Sequence, residues 1–336
     1  MSNETIVRHL AAMGTALSLT VSAPTRDAAL RASEAGVREI ERIEGLLSTW
    51  RDDTPLARLN AAAPGVATPV PPELFALLRR VFEWEKATAG AFDPAILPLV
   101  TAWELRTGGG IPDATALARA REASRPDLFT FEESSLRVTR RTGAAGIDEG
   151  AWGKGWALDK AAAAMREAGA TSGVLDLGGQ ILAFGEQTSV AVAHPRDRTR
   201  AVATLHLKDA SASTSGNSER GLVVNRRRVG HLLDPHTGEP APDFGSVTVI
   251  APSGLTADVL STALFVLGPE NGLALSERLR ASGVAHEALF LLEGEEGGGL
   301  IFRGSPGIRA LLENDAGTVK TAVPLPHSKK SEGVHP

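Results

Sequence analysis

Three stretches of this chain carry residue types that can do chemistry. The first, GHLLDPHTGEP over residues 230–240, sets His231, Asp234 and His236 among glycines and prolines. A turn needs only Gly and Pro, so an imidazole and a carboxylate fixed within one point to a ligand. The second, GIDEGAWGKGWALDK over residues 146–160, places Gly150, Gly153, Gly155 and Lys154 at the start of a predicted helix. Free N–H groups at a glycine-rich helix N-terminus attract anions, and Lys154 adds a point charge. The spacing fits neither a Walker A loop nor a dinucleotide fingerprint. A plain strand-to-helix turn explains the same residues equally well. The third, TADVLSTALFVLG over residues 256–268, puts Asp258 and Thr262 four apart, on one helical face. Two oxygen donors there suit a hard cation such as Mg²⁺. By spacing alone the simpler reading wins: Thr256 caps the helix and Asp258 favours its dipole.

Two further stretches carry weaker signals. LDLGGQILAFG holds Asp176 and the pair Gly178–Gly179, which reads as a β-bulge or as close approach of a ligand to the backbone. STSGNSER, from Ser213, reads as a turn whose hydroxyls could face a ligand.

The elements that must position these residues follow from periodicity. MGTALSLTV reads as a first strand, and a helix follows over about 27–47 with Val37, Ile40, Ile43 and Leu47 on one face. STWRDDTPLARLN is a loop with a short helical end. PPELFALLRRVFEWEKATAG has Pro72 near a helix start and Gly90 past its end. AFDPAILPLVTAWELR opens another helical region, and DLFTFEESSLRVTRR reads as a hairpin. A helix is expected over 155–168, closed by Gly169. Strand-like segments cover 172–184, 189–194, 201–208 and 221–233. SVTVIAP is a strand, the 256–268 stretch a helix ended by Gly268, and GVAHEALFLLEGEEGGGLIFRG a final hairpin. Strands broken by helices without a βαβ rhythm give the α+β class.

Composition narrows the chemistry. The chain has 336 residues, 43% of them hydrophobic, and no cysteine. Thiolate nucleophiles, cysteine–zinc sites and disulfides are thereby excluded, so any metal sits on oxygen or histidine. A net charge of −5 argues against a nucleic-acid partner, which needs clustered Lys and Arg; NRRRVG is the densest basic run and reads as a solvated hairpin end. No apolar run reads as a transmembrane segment. RHLAAMGTALSLTVSAPT has some marks of a secretory signal, but Ala16–Val21 alternates with period two and belongs to a strand. The Pro-rich residues 321–336 read as a disordered tail behind one domain over 1–320, which could divide into two lobes.

Each signal alone is modest, but their order is specific. MGT, STWRDDTPLARLN, GAFDPAILPLVTAW, IDEGAWGKGWALDKA, LDLGGQILAFG, STSGNSER, HLLDPHTGEP and SVTVIAPSGLTADVLSTALFVLG, in that sequence, resemble the ApbE family, the FAD:protein FMN transferases. The likeness spans Met13 to Gly268 and, more loosely, the final hairpin. It implies an ApbE-like (T-fold-like) α+β fold, with helices and largely antiparallel sheets around a flavin cleft. It implies FAD and Mg²⁺ as ligands. The FMN half of FAD would pass to a Thr or Ser hydroxyl of an acceptor flavoprotein, with AMP released. Position by position, the metal ligands would be the Ala151 carbonyl, Asp258 and Thr262. Flavin or nucleotide contacts would come from Met13, Trp50, Ala91, Phe92, Asp93, Asp148, Lys154 and Leu233. His231 would stand near the reacting phosphate as general base, and His236 would be a solvated loop residue.

The chain departs from the family pattern in places. Glu149 and Trp152 stand where small or aliphatic residues are usual, and Trp50 where Tyr is frequent. Glu149 is expected to point away from a pyrophosphate. Members are commonly exported lipoproteins; without a lipobox cysteine, a cytoplasmic form is the expectation here. Hydrolysis of FAD to FMN and AMP, and flavin binding without catalysis, are the competing readings. The poised set of Asp258, Thr262 and His231 argues against the second.

Overall fold

The computed structural model describes residues 3–217, 222–224, 227–294 and 299–313. The tail expected over 321–336 and parts of STSGNSER, NRRRVG and the final hairpin's turn lie outside the described residues. The chain opens with β1 (Glu4–Ala12), β2 (Thr15–Ala23), α1 (Arg26–Leu47) and α2 (Pro55–Ala61). Next come β3 (Ala67–Pro69), α3 (Pro72–Ala87), α4 (Leu97–Ala102), α5 (Ala114–Ala123), β4 (Phe129–Glu132) and β5 (Arg137–Arg140). The second half runs α6 (Gly153–Glu167), β6 (Ser172–Leu177), β7 (Gln180–Phe184), β8 (Thr188–His194), β9 (Asp197–Leu207) and β10 (Ala210–Gly216). It ends with β11 (Leu222–Val224), β12 (Arg227–Val229), β13 (Gly245–Ala251), α7 (Gly254–Ala281), β14 (Glu287–Glu293) and β15 (Leu300–Gly304).

The backbone of the fold is an antiparallel sheet in the order β1-β2-β6-β7-β10-β13-β14-β15. Strand alternation sorts its side chains. Val247, Val249, Ala288, Phe290 and Leu292 face the main core with α1, α6 and α7, while Ile250, Leu289 and Leu291 face a second cluster under the β8–β9 ribbon. Burial on both faces explains why β14 carries the unbroken apolar run 288–292. A small sheet, β3-β5-β4, packs against α3 through Phe75, Phe82, Phe129 and Phe131.

Several expectations are corrected. The stretch 172–184 is two strands, and Gly178 (φ 62°) and Gly179 (φ 86°) form the two-residue turn between them. Positive φ at both central residues is what such a hairpin turn requires, so this glycine pair forms a turn and not a bulge. The segment 221–233 contains two short strands and then a loop. The helix expected from 155 begins at Gly153. The N-cap of α7 is Ser253, whose side chain accepts from the Thr256 N–H; Thr256 lies inside the helix. Gly268 does end the first half of α7, since its φ of 73° and ψ of 176° are not helical, and a second half starts at Pro269. Among the described residues α7 is long and apolar enough to cross a membrane, contrary to the reading of the sequence; yet it packs against β10, β13 and β14.

The packing that matters most for the site is the crossing of α6 over α7. A Cβ added at Gly155 would meet the Gly254 carbonyl oxygen at 2.2 Å, and one at Gly254 would meet the Gly155 oxygen at 2.5 Å. Only two glycines let these backbones touch. The helix starts then cap one another. Asp159 of α6 accepts from Ser253 Oγ (2.7 Å), Gly254 N (2.5 Å) and Leu255 N (3.1 Å) at the start of α7. Asp258 of α7 accepts from Gly155 N (2.9 Å) in the first turn of α6. Each carboxylate meets orphan N–H groups and the positive end of the partner helix. Gly155→Ala should therefore cost about 2–4 kcal/mol in a urea titration, because backbone atoms cannot yield. Gly45→Ala, where an added Cβ meets nothing within 4 Å, should gain up to about 1 kcal/mol. Equal effects at the two positions would contradict this account of the crossing.

Candidate active site

The α6–α7 crossing fixes Asp258 against the first turn of α6. Its carboxylate is buried, at 4% relative exposure, with Oδ2 on Gly155 N and Oδ1 3.9 Å from Lys154 Nζ. Burial pushes its pKa upward and Asp159 adds to this, while Lys154 and the Gly155 N–H pull the other way. A carboxylate this poorly compensated is a natural partner for a cation. Thr262, one turn further along α7, is partly buried. Ser261, beside it, bonds the Asp258 carbonyl (3.0 Å), Ser213 (3.1 Å) and Ser215 (2.9 Å), which ties β10 to this end of the helix. No group of three His, Asp or Glu side chains that could hold a metal exists among the described residues. The donor set that the family resemblance implies would be one carboxylate, one hydroxyl and the Ala151 carbonyl. It fits a hard cation that takes its remaining oxygens from a phosphate or water.

The turn before α6 gathers most of the other candidates. Asp148 receives the Gly150 N–H (2.8 Å) and pairs with Arg106; its backbone N–H bonds the Pro94 carbonyl (2.9 Å) and so docks the 91–94 loop. Asn60 clamps both backbone groups of Ile147. Trp152 is fully buried, and its Nε1 donates to the Asp148 carbonyl (2.8 Å), so this departure from the family pattern fills the core beneath the turn. Met13, with φ 49°, lies against the same turn: its Cε is 3.5 Å from where a Gly153 Cβ would be. The stem of Glu149 lies against Gly153 at the start of α6, and its carboxylate turns to Thr49. It accepts from Thr49 N (3.1 Å) and Thr49 Oγ1 (2.5 Å), securing the lip that carries Trp50.

The 230–240 loop is tied down from three sides. Asp234 Oδ1 accepts from His236 N (2.9 Å), Gly238 N bonds the Asp234 carbonyl (2.7 Å), and Asp234 N bonds that of Glu239 (2.8 Å). Trp103 Nε1 donates to the Gly238 carbonyl (2.7 Å), and Arg121 to that of His236 (2.6 Å). Gly238, with φ 75°, also leaves room for the Arg121 stem. His236 is not merely solvated: Nε2 lies 3.1 Å from the Ala89 carbonyl and Nδ1 3.2 Å from Asp234 Oδ1, joining this loop to the one holding Ala91, Phe92 and Asp93. Leu233 is buried with Leu99, Trp103, Ala120 and Val229. His231 is partly buried, next to Gly230, where a Cβ would press on Asn217 (2.7 Å to Oδ1). Asn217 directly follows β10, the strand whose serines reach α7, so one chain of contacts runs from the His231 loop to the Asp258 end.

Reading the sequence missed Arg106, Asp159 and Asn60. Nothing in ELRTGGG or WALDK distinguishes Arg106 or Asp159 from surface charges, Asn60 reads as an ordinary polar loop residue, and the partners of all three lie far along the chain.

Asp93 shows how burial tunes this cleft. It is 7% exposed, and its Oδ1 accepts from Ala95 N at 2.7 Å. Burial, aided by Glu85, pushes its pKa up to about 7, the Ala95 N–H opposing. The folded form therefore keeps a proton that the unfolded chain loses near pH 4. Stability from this group is present below about pH 4 and is lost as pH rises through about 7. Asp93→Asn should flatten the fall in melting temperature of the ligand-free protein between about pH 5 and 8; identical slopes in the two proteins would contradict the assignment.

Comparison with known proteins agrees with this geometry. The sequence model of the ApbE family matches residues 13–286. A FAD:protein FMN transferase of Treponema pallidum is 34% identical over 262 residues, covering 70% of this chain and 71% of that protein. One from Klebsiella pneumoniae is 31% identical over 244 residues, covering 69% and 70%. The crystal structure of the ApbE protein from Thermotoga maritima superposes with a TM-score of 0.83 at 27% identity, over 92% of this chain and 99% of that one. The flavinyl transferase ApbE of Pseudomonas stutzeri gives 0.78 at 27% identity, over 92% and 97%. The described sheets, antiparallel and open, and the helices that cover them are the ApbE architecture, and this chain belongs to the ApbE family.

Proposed function

We propose that this protein transfers the FMN half of FAD to a hydroxyl of an acceptor protein, with AMP as the leaving group and Mg²⁺ as the required metal. The observation that carries the reading is Asp258. A buried carboxylate, fixed by the α6 N-terminus beside Lys154, stands in the A-D-x-x-x-T motif of a family whose named relatives are FAD:protein FMN transferases. Binding alone would not require an under-compensated anion at the start of α6.

The reaction exchanges one phosphorus–oxygen bond for another. The acceptor's Thr or Ser oxygen attacks the phosphorus on the FMN side, and the bond to the bridging oxygen breaks. AMP leaves with that oxygen, and the hydroxyl proton passes to His231, a neutral imidazole being the right acceptor near pH 7. Such transfers depend mainly on positioning and charge neutralisation. Mg²⁺ held by Asp258, Thr262 and the Ala151 carbonyl would neutralise pyrophosphate charge when bound. The N–H groups of Gly150, Gly153 and Gly155 are already bonded within the protein, so Lys154 and the positive end of α6 are what would address the same anion. Trp50, the 91–93 loop and Leu233 would enclose the flavin and nucleotide. The Glu149 carboxylate is bonded by Thr49 N and Oγ1 and faces Arg106 at 4.0 Å, which would lessen its repulsion of a pyrophosphate.

Incubation with FAD, Mg²⁺ and a candidate acceptor domain should give an in-gel fluorescent acceptor whose mass has grown by one FMN. FAD consumed to FMN and AMP with no acceptor labelled would instead indicate a hydrolase. Asp258→Asn should lose Mg²⁺-dependent turnover yet remain folded by circular dichroism; full activity at limiting Mg²⁺ would reduce Asp258 to a helix cap. His231→Gln should bind FAD as the wild type does and transfer FMN about 10²–10⁴ times more slowly. Retained transfer would remove His231 from the role of base.

A further inference from the structure

The segment that carries Trp50 is held by Arg106 and Glu149. Trp50 is 68% exposed, the most exposed of the large apolar side chains described here. Arg106 covers one face of its indole, with Cζ 5.1 Å from the ring centroid. The same guanidinium donates to the Thr49 carbonyl (3.0 Å) and to Thr49 Oγ1 (2.5 Å), and pairs with Asp148. Glu149 grips the N–H and hydroxyl of the same threonine from the α6 side. Three segments distant in sequence, 48–50, 106 and 148–149, thus meet at one planar cation.

We propose that Arg106 is a positioning residue for the flavin: it holds the Trp50 ring at a fixed angle, one face against the guanidinium and the other open to stack on the isoalloxazine. This rests on the reading of the cleft as an FAD site. A guanidinium suits the task because it can hydrogen-bond at its edge while stacking with its face; a lysine ammonium cannot do both. Holding the indole in place before FAD arrives removes an ordering cost from binding. The cation also balances Asp148 and Glu149, whose side chains lie 22% or less exposed together with its own. The Arg106 guanidinium is engaged by Thr49, Asp148 and the Trp50 ring, so its effect is assigned to FAD affinity and not to the chemical step.

A double-mutant cycle tests this, with FAD affinity measured by calorimetry in Mg²⁺. Arg106→Lys and Arg106→Gln should each weaken FAD binding by about tenfold when Trp50 is present. Arg106→Gln made on Trp50→Ala should change it less than about twofold. In steady-state assays Arg106→Lys should raise the KM for FAD and leave kcat within about twofold of wild type. Equal losses with and without Trp50, or wild-type affinity in Arg106→Lys, would overturn the proposal. If Arg106→Gln fails to fold, the Arg106→Lys and Trp50→Ala cycle decides on the same criteria, because the lysine retains the charge beside Asp148. Unchanged affinity in Trp50→Ala would also overturn it, by removing the stacking partner. Continued FMN transfer by the wild type would show that the transferase reading survives that result.

Discussion

Two carboxylates exchanged between two helices are the constraint on which the rest of the site depends. Asp159 of α6 caps α7, and Asp258 of α7 caps α6, across a contact that only Gly155 and Gly254 permit. The exchange fixes the angle and register of the helices together, because each carboxylate must meet specific N–H groups of the other. It also settles the charge of the cleft. Asp258 is spent on one N–H through Oδ2, while Oδ1 is met by Lys154 only at 3.9 Å. A capping bond and an unfilled electrostatic demand sit on one side chain. That is how a structural feature becomes a binding feature without any added element.

From this crossing the cleft is assembled by loops that hold one another. The turn before α6 anchors the 91–94 loop through Asp148 and Pro94. The 88–93 region meets the 230–240 loop through His236 and Ala89. The serines of β10 reach back to Ser261 beside Asp258. Each link is one or two hydrogen bonds, individually worth about 1 kcal/mol. Their value lies in closing a circuit, so that no loop can shift alone.

Much of this was legible in the sequence because loops with fixed geometry need residues of fixed type. Gly238 at positive φ, Pro235 in the turn and Asp234 binding its own backbone can be read from DPHTGEP. Asp258 and Thr262 were legible as a pair by helical spacing, which favoured a helix-end charge on their own helix; that Asp258 instead caps α6, through Gly155, 103 residues away, was not legible. The paired glycines of LDLGGQ lay between two alternating runs, the usual sign of a tight hairpin, and were misread as a bulge or a ligand approach. Arg106, Asp159 and His236 were not legible in the roles they play. A charged or imidazole side chain in a helix or loop looks alike whether it meets water or a distant carbonyl, and only the fold supplies the partner.

The claim at the centre is that Asp258 is one part of a metal site that the substrate completes. Calorimetric titration of Mg²⁺ into the wild-type protein, with and without saturating FAD, examines it most directly. The expected result is weak binding to the protein alone, and binding at least about tenfold tighter with FAD, with reciprocal strengthening of FAD binding by Mg²⁺. Mg²⁺ affinity that is the same with and without FAD would contradict it.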